Sequence, residues 1–245
     1  MPPRAAYRAR GLATVPLTGI LSVTTPGLLD AWFAVHERYG TLPLGRLLAP
    51  AVAAARDGIA VTGQLARWGT ETVEVLRQPA LAELYRPYAG QAAVGTVLRQ
   101  PGLARLYQLV GAPGQDAAAV RALLGAELAR LSAELDGLLA AADLAAPAAR
   151  IGPALTARVG GRVVATTPAP TQGVLLLQNL AVYQRLAAGA GTASAEGVHV
   201  LSEIVQQTYG WRLAHLGDPD AVGPVDGLAE GVLAAVAAAV DPARR

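Results

Sequence analysis

His36, His199 and His215 are the only side chains in this 245-residue sequence whose ordinary titration falls near neutral pH. With Ser194 or Ser202 and one of several aspartates, a histidine could deprotonate a hydroxyl for attack on an acyl group, the chemistry of a serine triad. No serine stands in a Gly-x-Ser-x-Gly elbow, and triads are defined by geometry rather than by spacing. The histidines are expected on helix surfaces or at caps. Asp218-Pro219-Asp220 brings two carboxylates together as a cation site would, but the later glycine and glutamate of a calcium loop are missing and proline fixes the backbone, so a turn is expected. Gly189-Ala190-Gly191 shares only its glycines with a phosphate loop: it follows a helical run and lacks the Lys-Ser/Thr pair. No catalytic residue and no metal ligand is assigned in this chain, no cofactor is expected, and substrate-binding residues stay unassigned.

Composition removes further classes. There is no cysteine, which excludes disulfides, thiolate nucleophiles and cysteine zinc sites. All 20 basic residues are arginine, the net charge is +2, and the arginines are scattered rather than gathered into a stripe with aromatics, so no nucleic-acid partner is expected. Apolar residues make up 53%, yet much of that is alanine, with one phenylalanine and three tryptophans, which predicts closely spaced helices over a modest core. The longest apolar run near the C-terminus, Val232-Leu-Ala-Ala-Val-Ala-Ala-Ala-Val240, is far short of the roughly 20 residues of a membrane span. Arg4, Arg8 and Arg10 precede an apolar segment in the manner of a signal peptide, but Thr14, Pro16 and Thr18 interrupt it and no clean cleavage site follows. A cytoplasmic location is the expectation, as is a single partial domain over residues 1–245.

The elements that would position any site are mostly helical. Thr25 can cap a helix started by Pro26, with Leu28, Trp32, Val35 and Tyr39 on one apolar face and Gly40 at its end. After a turn holding Pro43, the run Leu44, Leu47, Leu48, Ala51, Val52, Ala55 predicts a second helix that Asp57-Gly58 stops. Further helices are expected over residues 63–77 (capped by Thr62, with Leu65, Trp68, Thr72, Val75 and Leu76 inward), 81–86, 102–110, 117–141 (capped by Asp116), 174–188, 195–214 and 226–240. The leucines of the 117–141 run keep no steady heptad, so ordinary core packing is expected rather than a coiled coil. One strand stands out, Arg162 to Thr166; a two-strand or three-strand contribution to a larger sheet is expected, with the partners of this strand coming from elsewhere. It leads through Pro168–Gly173 into a helix whose N-terminus could face a ligand or a partner chain, although a plain connector is the commoner role of such loops.

The literal residues say more than the pattern. Pro26-Gly27, Leu29, Trp32, Tyr39-Gly40-Thr41-Leu42-Pro43-Leu44, Leu48-Ala49-Pro50-Ala51, Ala55 and Asp57-Gly58 together resemble the large subunit of γ-glutamyltransferases. The resemblance continues in order through residues 101–114, 135–149 and 160–186 to His215-Leu-Gly-Asp-Pro-Asp220, and is loosest between 63 and 130. The family loop usually reads Pro-Pro-x-Ser-Gly-Gly; here it is Pro168-Ala169-Pro170-Thr171-Gln172-Gly173, so its serine and second glycine are lost.

The resemblance implies the predominantly helical, α/β part of an N-terminal-nucleophile hydrolase αββα sandwich. It also implies a threonine, opening a small subunit after self-cleavage, that attacks γ-glutamyl amides such as glutathione. That junction reads Thr-Thr-His, whereas Thr24-Thr25 and Thr166-Thr167 both precede proline. The arginine that holds the substrate's α-carboxylate in the family is expected upstream of Met1. Two functions are therefore carried forward. One is a large-subunit-like component whose partner is a small-subunit-like polypeptide bearing an N-terminal threonine, acting together on a γ-glutamyl small molecule. The other is a non-catalytic, degenerate family member serving as a helical interaction protein.

Overall fold

The computed structural model describes residues 4–71, 94–145, 149–186 and 194–241. Their contacts group into two compact units, Met1–Ile151 and Gly152–Arg245.

In the first unit, helix α1 (Arg4–Ala9) and a 3-10 turn at Ile20–Ser22 precede the expected helical hairpin, α2 (Leu28–Tyr39) and α3 (Leu44–Asp57). α3 stops where Gly58 turns to φ 98°, a conformation that disfavours side chains, and a Cβ there would meet Val97 Cγ1 at 2.3 Å. α2 departs from the expectation twice. It begins at Leu28 with Gly27 at its boundary, so Thr25 does not cap it and Pro26 does not start it. Its apolar face is also largely uncovered: Leu28, Val35 and Tyr39 are exposed, and the buried residue of the helix is Asp30. Trp32 packs at a tilt against Tyr107 with ring centroids 5.9 Å apart.

β1 (Ile59–Ala60) and β2 (Val97–Leu98) add a short antiparallel ladder that the sequence pattern did not suggest. Helix α4 (Gly63–Glu71) carries the expected cap, the Leu65 amide donating to Thr62 Oγ1 at 3.2 Å. Its inward residues are Ala66 and Gly69, with Leu65 partly buried and Trp68 exposed, so the small residues and not the tryptophan set the approach of this helix. The rest of that expected helix and the one expected at 81–86 lie outside the described residues.

Helix α5 (Pro101–Val110) begins with proline in its first turn, where the missing N–H costs no helical hydrogen bond. It packs against α3 with backbones nearly touching: a Cβ on Gly45 would lie 2.5 Å from the Gly111 carbonyl oxygen. Helix α6 (Ala117–Glu134) is capped as expected, Asp116 Oδ1 accepting from the Ala119 amide at 2.8 Å, but ends well before residue 141. The cause is a complete Schellman motif. Asp136 turns to φ 56°, its amide donates to Ala133 O, and the Gly137 amide donates to Ser132 O at 2.6 Å. A short helix α7 (Ala141–Ala145) follows. On the leucine-rich face Val120 and Leu139 are buried, whereas Leu123, Leu131 and Leu135 are exposed.

The second unit corrects the strand assignment. Arg162–Thr166 is β4, and its partner is local: β3 (Leu155–Val159) pairs with it antiparallel, Val159 opposite Arg162 and Leu155 opposite Thr166. Gly160 and Gly161, at φ 54° and 77°, form the two-residue connection, and two successive positive φ values are what a hairpin of right-twisted strands requires. Helix α8 (Gly173–Leu186) packs on this hairpin and on α9 (Ala195–His215) and α11 (Glu230–Ala238), with the short α10 (Pro219–Val222) between the last two. Val182, Val200, Ile204, Leu233, Val236 and Val240 form the core. Among the described residues no fully buried side chain is aromatic, in keeping with an alanine-rich composition.

Candidate functional site

The structure gives two of the three candidate histidines a local occupation. His36 Nε2 contacts the Leu42 carbonyl at 2.7 Å across the α2–α3 turn, so this nitrogen carries the donated proton. His215 Nδ1 lies 2.9 Å from Trp211 O one helical turn earlier, and its ring stacks on Trp211 at 5.3 Å. His199 is half-buried on α9, and its Nε2 is enclosed without a hydrogen-bond partner among the described residues. The two serines are helix furniture: Ser194 Oγ caps α9 by accepting from the Gly197 amide at 3.0 Å, and Ser202 Oγ donates to Val198 O at 2.9 Å. Among the described residues, no hydrogen bond joins a histidine to a hydroxyl or a carboxylate. A triad is not assembled from them.

Asp218 is the expected turn. Its Oδ1 accepts from the Asp220 amide at 3.0 Å, capping α10, with Pro219 at the first helical position. Gly189-Ala190-Gly191 lies outside the described residues.

The Pro168–Gly173 loop is tied together by its own hydroxyls. Thr171 Oγ1 lies 2.8 Å from Thr167 Oγ1 and within 3.0 Å of the Thr167 and Pro168 carbonyl oxygens, and the Ala169–Pro170 bond is cis. Gly173 starts α8 so close to β4 that a Cβ would sit 2.3 Å from Thr166 Oγ1. Of the resembling motif, the retained glycine is thus the position with no room for a side chain, and Thr171 supplies a hydroxyl that closes the turn.

Behind the loop, α8 carries a buried polar row that the sequence reading missed. Gln178 is fully buried and donates from Nε2 to Gly227 O at 2.8 Å, while Thr208 of α9 donates to Asn179 Oδ1 at 2.7 Å. Glu203, one helical turn beyond His199 on α9, is buried as well. The available signal was Gln178-Asn179 in the middle of an otherwise apolar helix, where only a partner inside the fold would keep two amides. In the first unit the equivalent surprise is Asp30, buried against Arg121 of α6, whose Nη1 donates to its Oδ1. These groups fix helices to one another; none is arranged as an acid, a base and a nucleophile around one empty position.

What the fold and these loops define is the helical part of the N-terminal-nucleophile hydrolase fold, seen in the likeness to Helicobacter pylori γ-glutamyltranspeptidase. That crystal structure superposes over 95% of this chain and 68% of its own, with a TM-score of 0.81 at 21% identity. The family model "Gamma-glutamyltranspeptidase" matches residues 4–243, and the chain belongs to that family. Among curated relatives, the acylase ACY 1 proenzyme of Pseudomonas sp. (strain SE83) is 30% identical over 83% of this chain and 37% of its own length. The glutathione hydrolase proenzyme of Pseudomonas aeruginosa is 27% identical over 85% of this chain and 38% of its own. The chain therefore spans little more than a third of the length of these relatives.

Proposed function

We propose that residues 1–245 act as a large-subunit-like component of a γ-glutamyltransferase or γ-glutamyl hydrolase, and that the nucleophilic threonine comes from a small-subunit-like polypeptide outside these residues. The observation that carries this reading is the family match over residues 4–243, in a chain spanning about 37% of the acylase relative. In this reading the threonine hydroxyl attacks the γ-glutamyl carbonyl, its own α-amino group takes the proton, and the amine leaves. Water or an acceptor amine then breaks the acyl ester, with backbone donors holding the oxyanion. This chain supplies helical packing around that centre. The substrate class is a γ-glutamyl amide such as glutathione; the acylase relative is the reason to assay other amides beside it.

The test is co-purification followed by turnover. The chain should retain a polypeptide whose first residue is threonine, and the pair should release the chromogenic amine of a γ-glutamyl anilide while the chain alone does not. Activity of the purified 245-residue chain by itself would overturn the assignment of the nucleophile to another polypeptide. A retained partner with no amidase activity on any amide would point to an interaction role instead.

A further inference from the structure

The first unit holds a cavity of about 290 Å³ between the start of α2 and the first half of α6, with Leu106 of α5 and Leu144 of α7 also lining it. Its wall is aliphatic, including Leu29, Val120, Leu124 and Leu128, with the Asp30–Arg121 pair set into it and Glu127 among its lining residues. Each charged group at the wall has a partner within the fold. Arg121 donates from Nη1 to Asp30, and Glu127 receives two hydrogen bonds from Arg130. Nε and Nη2 of Arg121 make no hydrogen bond among the described residues, although its side chain is only 16% exposed. A guanidinium whose charge faces Asp30 and whose Nε and Nη2 can still donate favours a neutral acceptor over an anion, because the anion would be brought beside Asp30 as well.

We propose that this cavity binds an uncharged aliphatic molecule carrying one hydrogen-bond acceptor, of the class of a medium-chain alcohol or amide. The volume is that of about ten waters at liquid density, within reach of a small amphiphile and at the lower end of ligand pockets. The aliphatic body replaces water along Leu29, Leu124 and Leu128 and covers Leu28, which is 63% exposed at the mouth. The acceptor oxygen takes a hydrogen bond from the Arg121 guanidinium without disturbing its bond to Asp30. The site is independent of the catalytic reading, since it uses none of the residues discussed for catalysis.

Calorimetric titration of the full 245-residue chain with 1-octanol, octanoate and octylammonium tests this. Saturable binding of one equivalent of 1-octanol is expected, with both charged analogues weaker by about tenfold or more. Leu124→Trp, which fills the cavity, should abolish the binding, and Leu106→Phe, from the opposite wall, should weaken it if the tryptophan variant fails to fold. Leu213→Ser, altering an apolar residue 79% exposed in the other unit, should leave it unchanged. No saturable binding, octanoate binding as tightly as the alcohol, binding unchanged in both cavity variants, or binding reduced by Leu213→Ser would each overturn the proposal.

Discussion

Arg121 and Asp30, 91 residues apart in sequence, meet as a nearly enclosed ion pair that joins α6 to α2, with side chains 16% and 9% exposed. Removing one charge leaves the other in a poorly hydrated position. Asp30→Ala should therefore destabilise the first unit by about 3 kcal/mol, well above the ~0–1 kcal/mol of a fully exposed pair. Asp30→Leu combined with Arg121→Met should recover most of the loss. Urea unfolding of the two variants beside the native chain measures both values, and a double variant no more stable than Asp30→Ala would refute the reasoning.

The contact between Gly45 and Gly111 sets the distance between α3 and α5. A methyl group on either residue meets backbone at 2.5 to 2.7 Å, and backbone does not swing aside as the end of a side chain would. Gly45→Ala should separate the two helices and cost about 1–3 kcal/mol, in spite of alanine's better helix propensity. Gly102→Ala, where a Cβ meets nothing within 4 Å, is the matched control and should be neutral or mildly stabilising in a thermal melt.

Asp136 is the only residue other than glycine at positive φ among the described residues, and its side chain reaches Arg10 at 2.9 Å. That exposed pair contributes little, while the left-handed conformation strains any residue with a Cβ. Asp136→Gly should leave stability equal or raise it by up to about 1 kcal/mol, and Asp136→Val should lower it by about 1–2 kcal/mol. Chemical denaturation gives the ranking; a valine variant as stable as the glycine one would remove the Schellman account of where α6 ends.

Arg185 on α8 forks onto Glu230 at the start of α11, with contacts of 2.6 and 2.7 Å. Hydrogen bonds from the guanidinium hold the Glu230 carboxyl below its usual range. A lowered folded-state value means that the stabilisation is present above the unfolded glutamate value of about 4.3 and fades as pH falls through the lower folded value. The stability difference between the native chain and Glu230→Gln should accordingly be largest near neutrality and vanish in acid. Because the pair is exposed, added salt should shrink it as well; unfolding curves at two pH values and two salt concentrations read both trends.

Family and helices were legible in the sequence because both rest on local rules. Asp116 caps α6, Thr62 caps α4, and Gly58 ends α3, each through contacts within a few residues. What was hidden depended on distant partners. Leu28, Val35 and Tyr39 mark an apolar face by periodicity, but nothing in that periodicity says which part of the fold covers it, and within its unit the face is exposed. Asp30 and Gln178 drew no expectation because their partners lie 91 and 49 residues away. The hairpin partner of Arg162–Thr166 was available in the sequence, since Leu155-Thr-Ala-Arg-Val159 alternates apolar and polar residues and the two glycines after it are a turn signal. Of the candidate site, the capping roles of Ser194 and Asp218 follow from short-range geometry, whereas the enclosure of His199 does not.

The joint between α2 and α3 changes how the family wording itself is understood. Gly40 leaves no room for a Cβ, which would lie 2.5 Å from the His36 ring, and that ring is held to the Leu42 carbonyl before Pro43 opens α3. The glycine of this run is therefore fixed by the mechanics of a corner, and a residue kept for a corner reports the path of the chain there rather than a nucleophile elsewhere.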